Sequence, residues 1–124
     1  MAGFLLANGA LSDDGTELKI RRQLIENHLV EAIIILPRNL FYTTDISVTL
    51  WILNNNKEAR VVEQNGKLKL YRDREDEILF MDLRQIGSPY EKKYIDLTEE
   101  DRAKVSAARR IQVSDLYFFA KFSI

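Results

Sequence analysis

Two apolar runs, Leu29–Leu36 (LVEAIIIL) and Ile46–Asn54 (ISVTLWILN), flank nine residues, Pro37 to Asp45, that are mostly polar or aromatic. Both runs are rich in β-branched residues, which suit a pleated and largely buried surface, and the first stops at a proline. The link is too short for a helix, so the pattern predicts two antiparallel strands joined as a hairpin. Upstream, Gly3–Asn8 (GFLLAN) is a short continuous apolar run that ends at Asn8-Gly9, the pattern of a parallel strand covered on both faces. Between these strands, residues 16–28 read as a helix. Ile20, Leu24, Ile25 and His28 share one face, Lys19, Arg22, Gln23 and Glu26 lie away from it, and Thr16 or Asp14 is placed to cap it. Strand, helix and strand in this order predict a right-handed crossover.

Beyond the hairpin, residues 57–77 are charged and alternate weakly (Val61, Val62; Leu68, Leu70), as an insertion or small β-ribbon turning at Asn65-Gly66 would. Ile78–Leu83 (ILFMDL) reads as another apolar strand and Ser88–Asp96 as loop. Thr98-Glu99-Glu100-Asp101 opens a helix to about Ile111 with a capping-box-like pattern. The ending, Val113–Ile124, has four aromatics in twelve residues and must pack somewhere to avoid a sticky surface. Residues 1–112 are therefore expected to form one α/β unit, with 113–124 as an aromatic tail.

Composition narrows this picture little. The 124 residues suffice for one domain, and 46% hydrophobic with 30% charged content is that of a globular chain. Eighteen basic against nineteen acidic residues give a net charge of −1, so bulk electrostatics point to no polyanion. There is no cysteine, which excludes disulfides and thiolate metal sites and fits a reducing compartment. The N-terminal apolar run lacks a basic flank and meets a polar stop, so neither a signal peptide nor a membrane span is expected, and the chain reads as cytoplasmic.

Taken in order, FLLANGALS, IRRQLIENHLVEAIIILPRNLFYTTDISVTLWIL, ILFMDLRQIG and LTEEDRAKV resemble the methyltransferase subunit of type I restriction-modification systems, the DNA adenine-N6 methyltransferases, over about residues 3–105. The resemblance implies the C-terminal part of a Rossmann-like sheet that binds S-adenosylmethionine, a mixed sheet whose last two strands form the antiparallel hairpin. It also implies DNA and a specificity subunit as partners. The family's cofactor motif, a Gly-rich turn, and its Asn-Pro-Pro-aromatic tetrad do not occur here, since Pro37 and Pro89 stand apart and neither follows Asn. A fragment that does not bind the cofactor and does not methylate alone is therefore expected, with a non-enzymatic interaction module or remnant as the alternative. One departure falls at a sensitive place: where the family continues Gly-Ile-Pro after Phe41-Tyr42-Thr43-Thr44, this chain has Asp45-Ile46-Ser47.

The resemblance gives the aromatic loop a role. A base that is methylated must leave the duplex, and a ring that restacks it contributes roughly 1–3 kcal/mol. Phe41, with Tyr42 as alternative, matches the place of that ring, although Phe41 plugging the end of the sheet accounts for it equally well. Asn8 and Gly9 sit where open α/β sheets bind ligands, beyond the carboxyl ends of strands, and a Gly-requiring turn is the plainer account. These four are the candidate target-base residues, and no catalytic, cofactor or metal residue is assigned. His28 has no second His or Cys to share a metal, so a cation at a helix end is the simpler explanation. Glu99-Glu100-Asp101 suits a helix N-terminus, Asp82 a strand end, and Trp51 a core. Arg72, Arg74, Arg84, Arg109 and Arg110 could touch phosphate, but each has neighbouring acids, so solvated surface accounts for them at least as well. The GFLLAN strand is expected to have an unpaired edge, closed by a second copy of the chain or by the aromatic tail.

Overall fold

The computed structural model describes residues 1–41, 46–90, 94–108 and 117–121. Among them the chain order is β1 (Ala2–Ala7), a short 3₁₀ turn (Asn8–Leu11), α1 (Thr16–Glu26), β2 (Val30–Ile35), β3 (Val48–Leu53), β4 (Arg60–Gln64), β5 (Lys67–Tyr71), β6 (Glu77–Asp82), β7 (Ser88–Tyr90), β8 (Tyr94–Asp96), α2 (Glu99–Ala108) and β9 (Tyr117–Lys121). Five strands form one mixed sheet in the order β1-β3-β2-β6-β9.

The hairpin expected from Leu29–Leu36 and Ile46–Asn54 is present: β2 and β3 pair antiparallel, with Ile33 opposite Trp51 and Ile35 opposite Thr49. β6 joins the other side of β2 in parallel, Ile33 against Phe80. Apolar side chains on both faces of these strands make two clusters. On one face lie Ala32, Ile34, Leu36, Leu79, Met81 and Leu83, with Val105 of α2 against them. On the other lie Val30, Ile33, Trp51 and Ile78, covered by Leu24 and Ile25 of α1. Each fully buried Ile or Val contributes roughly 1.5–3 kcal/mol, so the two clusters dominate stability. A bulge at Glu31 shifts the register between Val30 and Ala32. It lets Val30 and Ile33, an odd number of residues apart, share a face that strict alternation would deny them.

Several expectations are corrected. β1 is not a doubly covered strand with a parallel neighbour: all six residues are exposed, and its partner is β3, antiparallel, with Phe4 opposite Trp51. Since β1 and β2 both run against β3, they are parallel to each other with β3 between them. The tail does not close that edge either, because β9 pairs with β6 at the opposite side of the sheet, leaving β1 outermost. Neither Thr16 nor Asp14 caps α1; Gly15 holds the N-cap at φ 79° with no side-chain bond. Ile20 remains exposed rather than joining Leu24 and Ile25. Residues 88–96 are not all loop, since β7 and β8 pair with Pro89 opposite Ile95.

At α2, Thr98 Oγ1 accepts the Asp101 amide at 3.2 Å while the Asp101 carboxylate accepts the Thr98 amide at 3.0 Å, a capping box with Asp in the third helical position. Those bonds hold the Asp101 carboxyl below its usual range. Trp51 is buried and donates its Nε1 proton to Thr49 Oγ1, which in turn donates to the Leu6 carbonyl, so one chain of bonds fastens β1 to β3. β4 and β5 form a separate ribbon closed by Asn65 and Gly66, both at positive φ. That is the conformation which two-residue hairpin turns require.

Candidate functional site

The register brings two of the sequence-predicted segments to one end of the sheet. Ala7, the last residue of β1, lies opposite Val48, and Ile35, the last of β2, lies opposite Thr49. The two parallel strands therefore finish level with each other, on either side of the first residues of β3. Asn8-Gly9 leaves from one and Pro37–Phe41 from the other, about 10 Å apart across two strand spacings. β6 also ends here, with Asp82 opposite Ile35.

The turn after β1 is closed on itself. Gly9 O accepts the amides of Ser12 and Asp13 at 2.9 and 2.8 Å. The Asp13 carboxylate folds over Gly9, where an added Cβ would meet its oxygens at 3.3 and 3.4 Å, tighter than ordinary contact. Gly9 is thus a close-approach position, while the exposed Asn8 side chain makes no hydrogen bond among the described residues.

The loop after β2 is braced from three sides. Leu36 donates its amide to Val48 O at 3.0 Å, and Ser47 Oγ donates to Leu36 O at 3.2 Å, which closes the base of the hairpin. Asn39, at φ 59°, turns the chain and accepts the Ile95 amide at 3.0 Å, so the β7–β8 ribbon stands against this loop. Asn takes such a φ more readily than most residues do. Leu40 and Phe41 pack against the cluster built on Ala32, Ile34 and Leu36, and Phe41 is half-buried. Tyr42, the alternative to Phe41, lies with Asp45 outside the described residues.

Other residues weighed from sequence settle into structural roles. Asp82 is gripped by Arg84, which donates from Nε and Nη2 to both carboxylate oxygens at 2.6–3.0 Å. Those bonds hold the Asp82 carboxyl below the usual range. Arg72 pairs with Glu77 at 2.7 Å and Arg74 with Glu31 at 2.5 Å. Arg109 and Arg110 lie outside the described residues. His28 stands past the end of α1 at φ 55°, its Nδ1 3.1 Å from Glu75 O and 3.4 Å from the Asp76 carboxylate.

Sequence reasoning passed over Lys57, at the opposite end of the sheet. It is 2% exposed and donates three hydrogen bonds, to Val30 O at 2.8 Å, Glu75 O at 3.1 Å and Glu77 O at 2.7 Å. Burial lowers its pKa, against the partial opposition of Glu31. Nearby, Asn54 donates to the Glu31 carboxylate that Arg74 also binds. The recess lined by Ile25, His28, Val30 and Lys57 has room for about one water, so it is a packing detail rather than a ligand site. The only signal in the sequence was a lysine at the polar exit of a strand, a setting that ordinarily marks solvent.

The comparisons with known proteins agree with this topology. The model of the N-6 DNA methylase family matches residues 1–122, so the match runs past Val105 and through the aromatic tail, further than the sequence suggested. The HindI methylase subunit, a type I restriction enzyme component of Haemophilus influenzae, is 36% identical over 115 residues, which are 91% of this chain and 23% of that protein. The MjaIX methylase subunit of Methanocaldococcus jannaschii is 34% identical over 104 residues, 84% of this chain and 16% of that protein. The crystal structure of a type I restriction-modification methyltransferase subunit from Streptococcus thermophilus superposes with a TM-score of 0.75 at 23% identity, covering 96% of this chain and 22% of that one. The chain thus spans less than a quarter of the length of these relatives. It belongs to the N-6 DNA methylase family, as a segment of the kind of methylase subunit found in type I restriction systems.

Proposed function

We propose that this chain forms the target-base side of a DNA adenine-N6 methyltransferase, in the later strands of a Rossmann-like sheet. The observation that carries the reading is the level ending of β1 and β2 on either side of β3, which sends Asn8-Gly9 and Pro37–Phe41 out from one end of the sheet. That end is where open α/β sheets take their ligands. The Asn8 amide offers a donor and an acceptor to the hydrogen-bonding edge of an extruded adenine, and the Phe41 ring, or that of Tyr42, offers a face to restack it. The bland alternative for Phe41, a plug, draws support from its contact with the core cluster.

S-adenosylmethionine is the donor that the family implies, and the residues present here do not fit a site for it. No Gly-rich turn follows β1, β2 or β6, and Asp82, the acidic residue at a strand end, is occupied by Arg84. The chain's part is to receive and orient the base. A complete enzyme adds the donor-binding segment, and DNA and a specificity subunit are the partners. The interaction-module alternative has no comparison in its favour. The exposed edge of β1 adds a surface where another chain or a second copy would pair. Light scattering over a concentration series reads that association, and a strictly monomeric chain at high concentration would contradict it.

Two substitutions test the base reading in the assembled enzyme. Phe41→Leu keeps an apolar side chain for packing and removes the aromatic face; methyl transfer to duplex DNA should fall about 5- to 150-fold, the rate equivalent of one lost stack. A plug predicts unchanged transfer by Phe41→Leu and a stability loss only in Phe41→Ala. Transfer by Phe41→Leu, Tyr42→Leu and Asn8→Ala that all match the parent enzyme would remove the base-side reading.

A further inference from the structure

The turn after β1 is held from outside as well as from within. Arg21, on the second turn of α1, donates from Nη1 to the Ala10 carbonyl at 2.8 Å and from Nη2 to the Asp13 carbonyl at 2.7 Å. One planar guanidinium therefore spans two backbone acceptors that lie on either side of Leu11 and Ser12. We propose that Arg21 is a positioning residue for the target base: it locks the Asn8–Asp13 turn to α1 and so fixes where Asn8 and Gly9 stand at the end of the sheet. The inference rests on the base-side reading of Asn8 and Gly9 given above.

The anchor is firm. Leu24 and Ile25, one turn further along α1, pack on the cluster that contains Val30, Ile33 and Trp51, so the helix that carries Arg21 is fixed to the sheet. The turn, for its part, needs the anchor. Beside the 3₁₀ bonds of Asn8–Leu11, the Ser12 and Asp13 amides close on Gly9 O, and Arg21 supplies the hydrogen bonds to the Ala10 and Asp13 carbonyls. Asn8 and Gly9 are exposed and contribute no side chain to either apolar cluster. The chemistry, finally, is that of a fork. A guanidinium holds two acceptors in fixed geometry, whereas an ammonium acts as a point charge and cannot set their relative orientation. The neighbouring Arg22 shows the contrast: it points to solvent and meets Glu26 at 3.6 Å, with both side chains largely exposed. Arg21 makes no such carboxylate pair among the described residues, and its charge is directed at the backbone of the turn.

The test reads the turn and the chemistry separately. In the 124-residue chain, Arg21→Ala should speed hydrogen exchange of the Ser12 and Asp13 amides about 10-fold or more, while amides of β2 and β3 exchange as before. In the assembled methyltransferase, Arg21→Ala should lower kcat for methyl transfer about 10- to 100-fold with the KM for S-adenosylmethionine unchanged, as a misplaced contact does. Arg21→Lys should recover little of it, and millimolar guanidinium added to Arg21→Ala should recover part. Unchanged exchange at Ser12 and Asp13 would overturn the anchoring role whatever the enzyme does. Faster exchange with full kcat, in an enzyme where Asn8→Ala does impair transfer, would leave Arg21 as a loop brace only and overturn the positioning role. If neither Asn8→Ala nor Phe41→Leu impairs transfer, the base-side reading fails and this inference falls with it. Should Arg21→Ala not fold, Arg21→Lys alone decides, with full activity and parental exchange counting against the proposal.

Discussion

The two ends of the central sheet solve opposite problems. At one end, β1, β2 and β6 finish together and give way to a tight turn, a proline loop and an aspartate held by its neighbour arginine. Asn8 and Gly9 are exposed there, and Asn8 has no side-chain partner among the described residues. At the other end, where β2 and β6 begin and β3 finishes, the polar groups are committed: Lys57 to three carbonyls, Glu31 to Asn54 and Arg74, His28 to the backbone of Glu75. Among the described residues, no buried side-chain nitrogen or oxygen is left without a partner. On the base-side reading, a sheet with one end so committed and the Asn8 side chain unbonded among the described residues at the other keeps its stability away from its chemistry. Substitutions at the two ends should therefore fail in different ways.

The largest effect is expected at Lys57. Lys57→Met keeps the length of the side chain but leaves three carbonyls without their donor, and should cost about 3–5 kcal/mol in denaturant unfolding. Transfer by the assembled enzyme, measured well below its melting temperature, should change little. A large activity loss in a stably folded Lys57→Met protein would break the division between the ends. The pH dependence sharpens the point. Burial lowers the pKa of Lys57 in the folded state below its ordinary value of 10.5. Between the two values the unfolded chain binds more protons, so stability rises with pH through that window. The gap between the parent protein and Lys57→Met should accordingly widen from below the lowered pKa up to about pH 10.5 and then level off. A gap that narrows would mean that the carbonyls outweigh burial. The smallest stability effect belongs to the other end, where Asn8→Ala should shift unfolding by no more than about 0.5 kcal/mol, as exposed sites usually do. If it costs about 2 kcal/mol or more, far beyond that surface range, the open end is structural after all.

The contrast also explains what could be read from the residues alone. The hairpin of β2 and β3 was legible because its β-branched runs, its proline stop and its short link all demand one arrangement. The Asn65-Gly66 turn was legible for a similar reason, since its chemistry is local. The larger mistakes concern which strand lies next to which. GFLLAN carries the same apolar signature whether it sits between two strands or at an edge, and nothing in those six residues names β3 as its neighbour. The partner of the aromatic tail was equally hidden, because Tyr117–Lys121 suits any free edge and β6 offered one. At the candidate site, Asn8 and Gly9 were proposed from their position past a strand end, which a linear pattern does convey, and Phe41 from the family resemblance. Arg21 and Lys57 were not, because a cation that binds backbone carbonyls leaves no complementary residue in the sequence to betray it.

The placement of β3 carries a consequence for how the chain is made. β1 and β2 are synthesised before β3, yet neither pairs with the other; each waits for Val48–Leu53, which leaves the ribosome last of the three and must enter between them. At a translation rate of roughly 5–20 residues per second, the pairing of β1 and β2 through β3 is therefore delayed by seconds. Correct insertion of Val48–Leu53 is thus the step on which the pairing of both earlier strands depends.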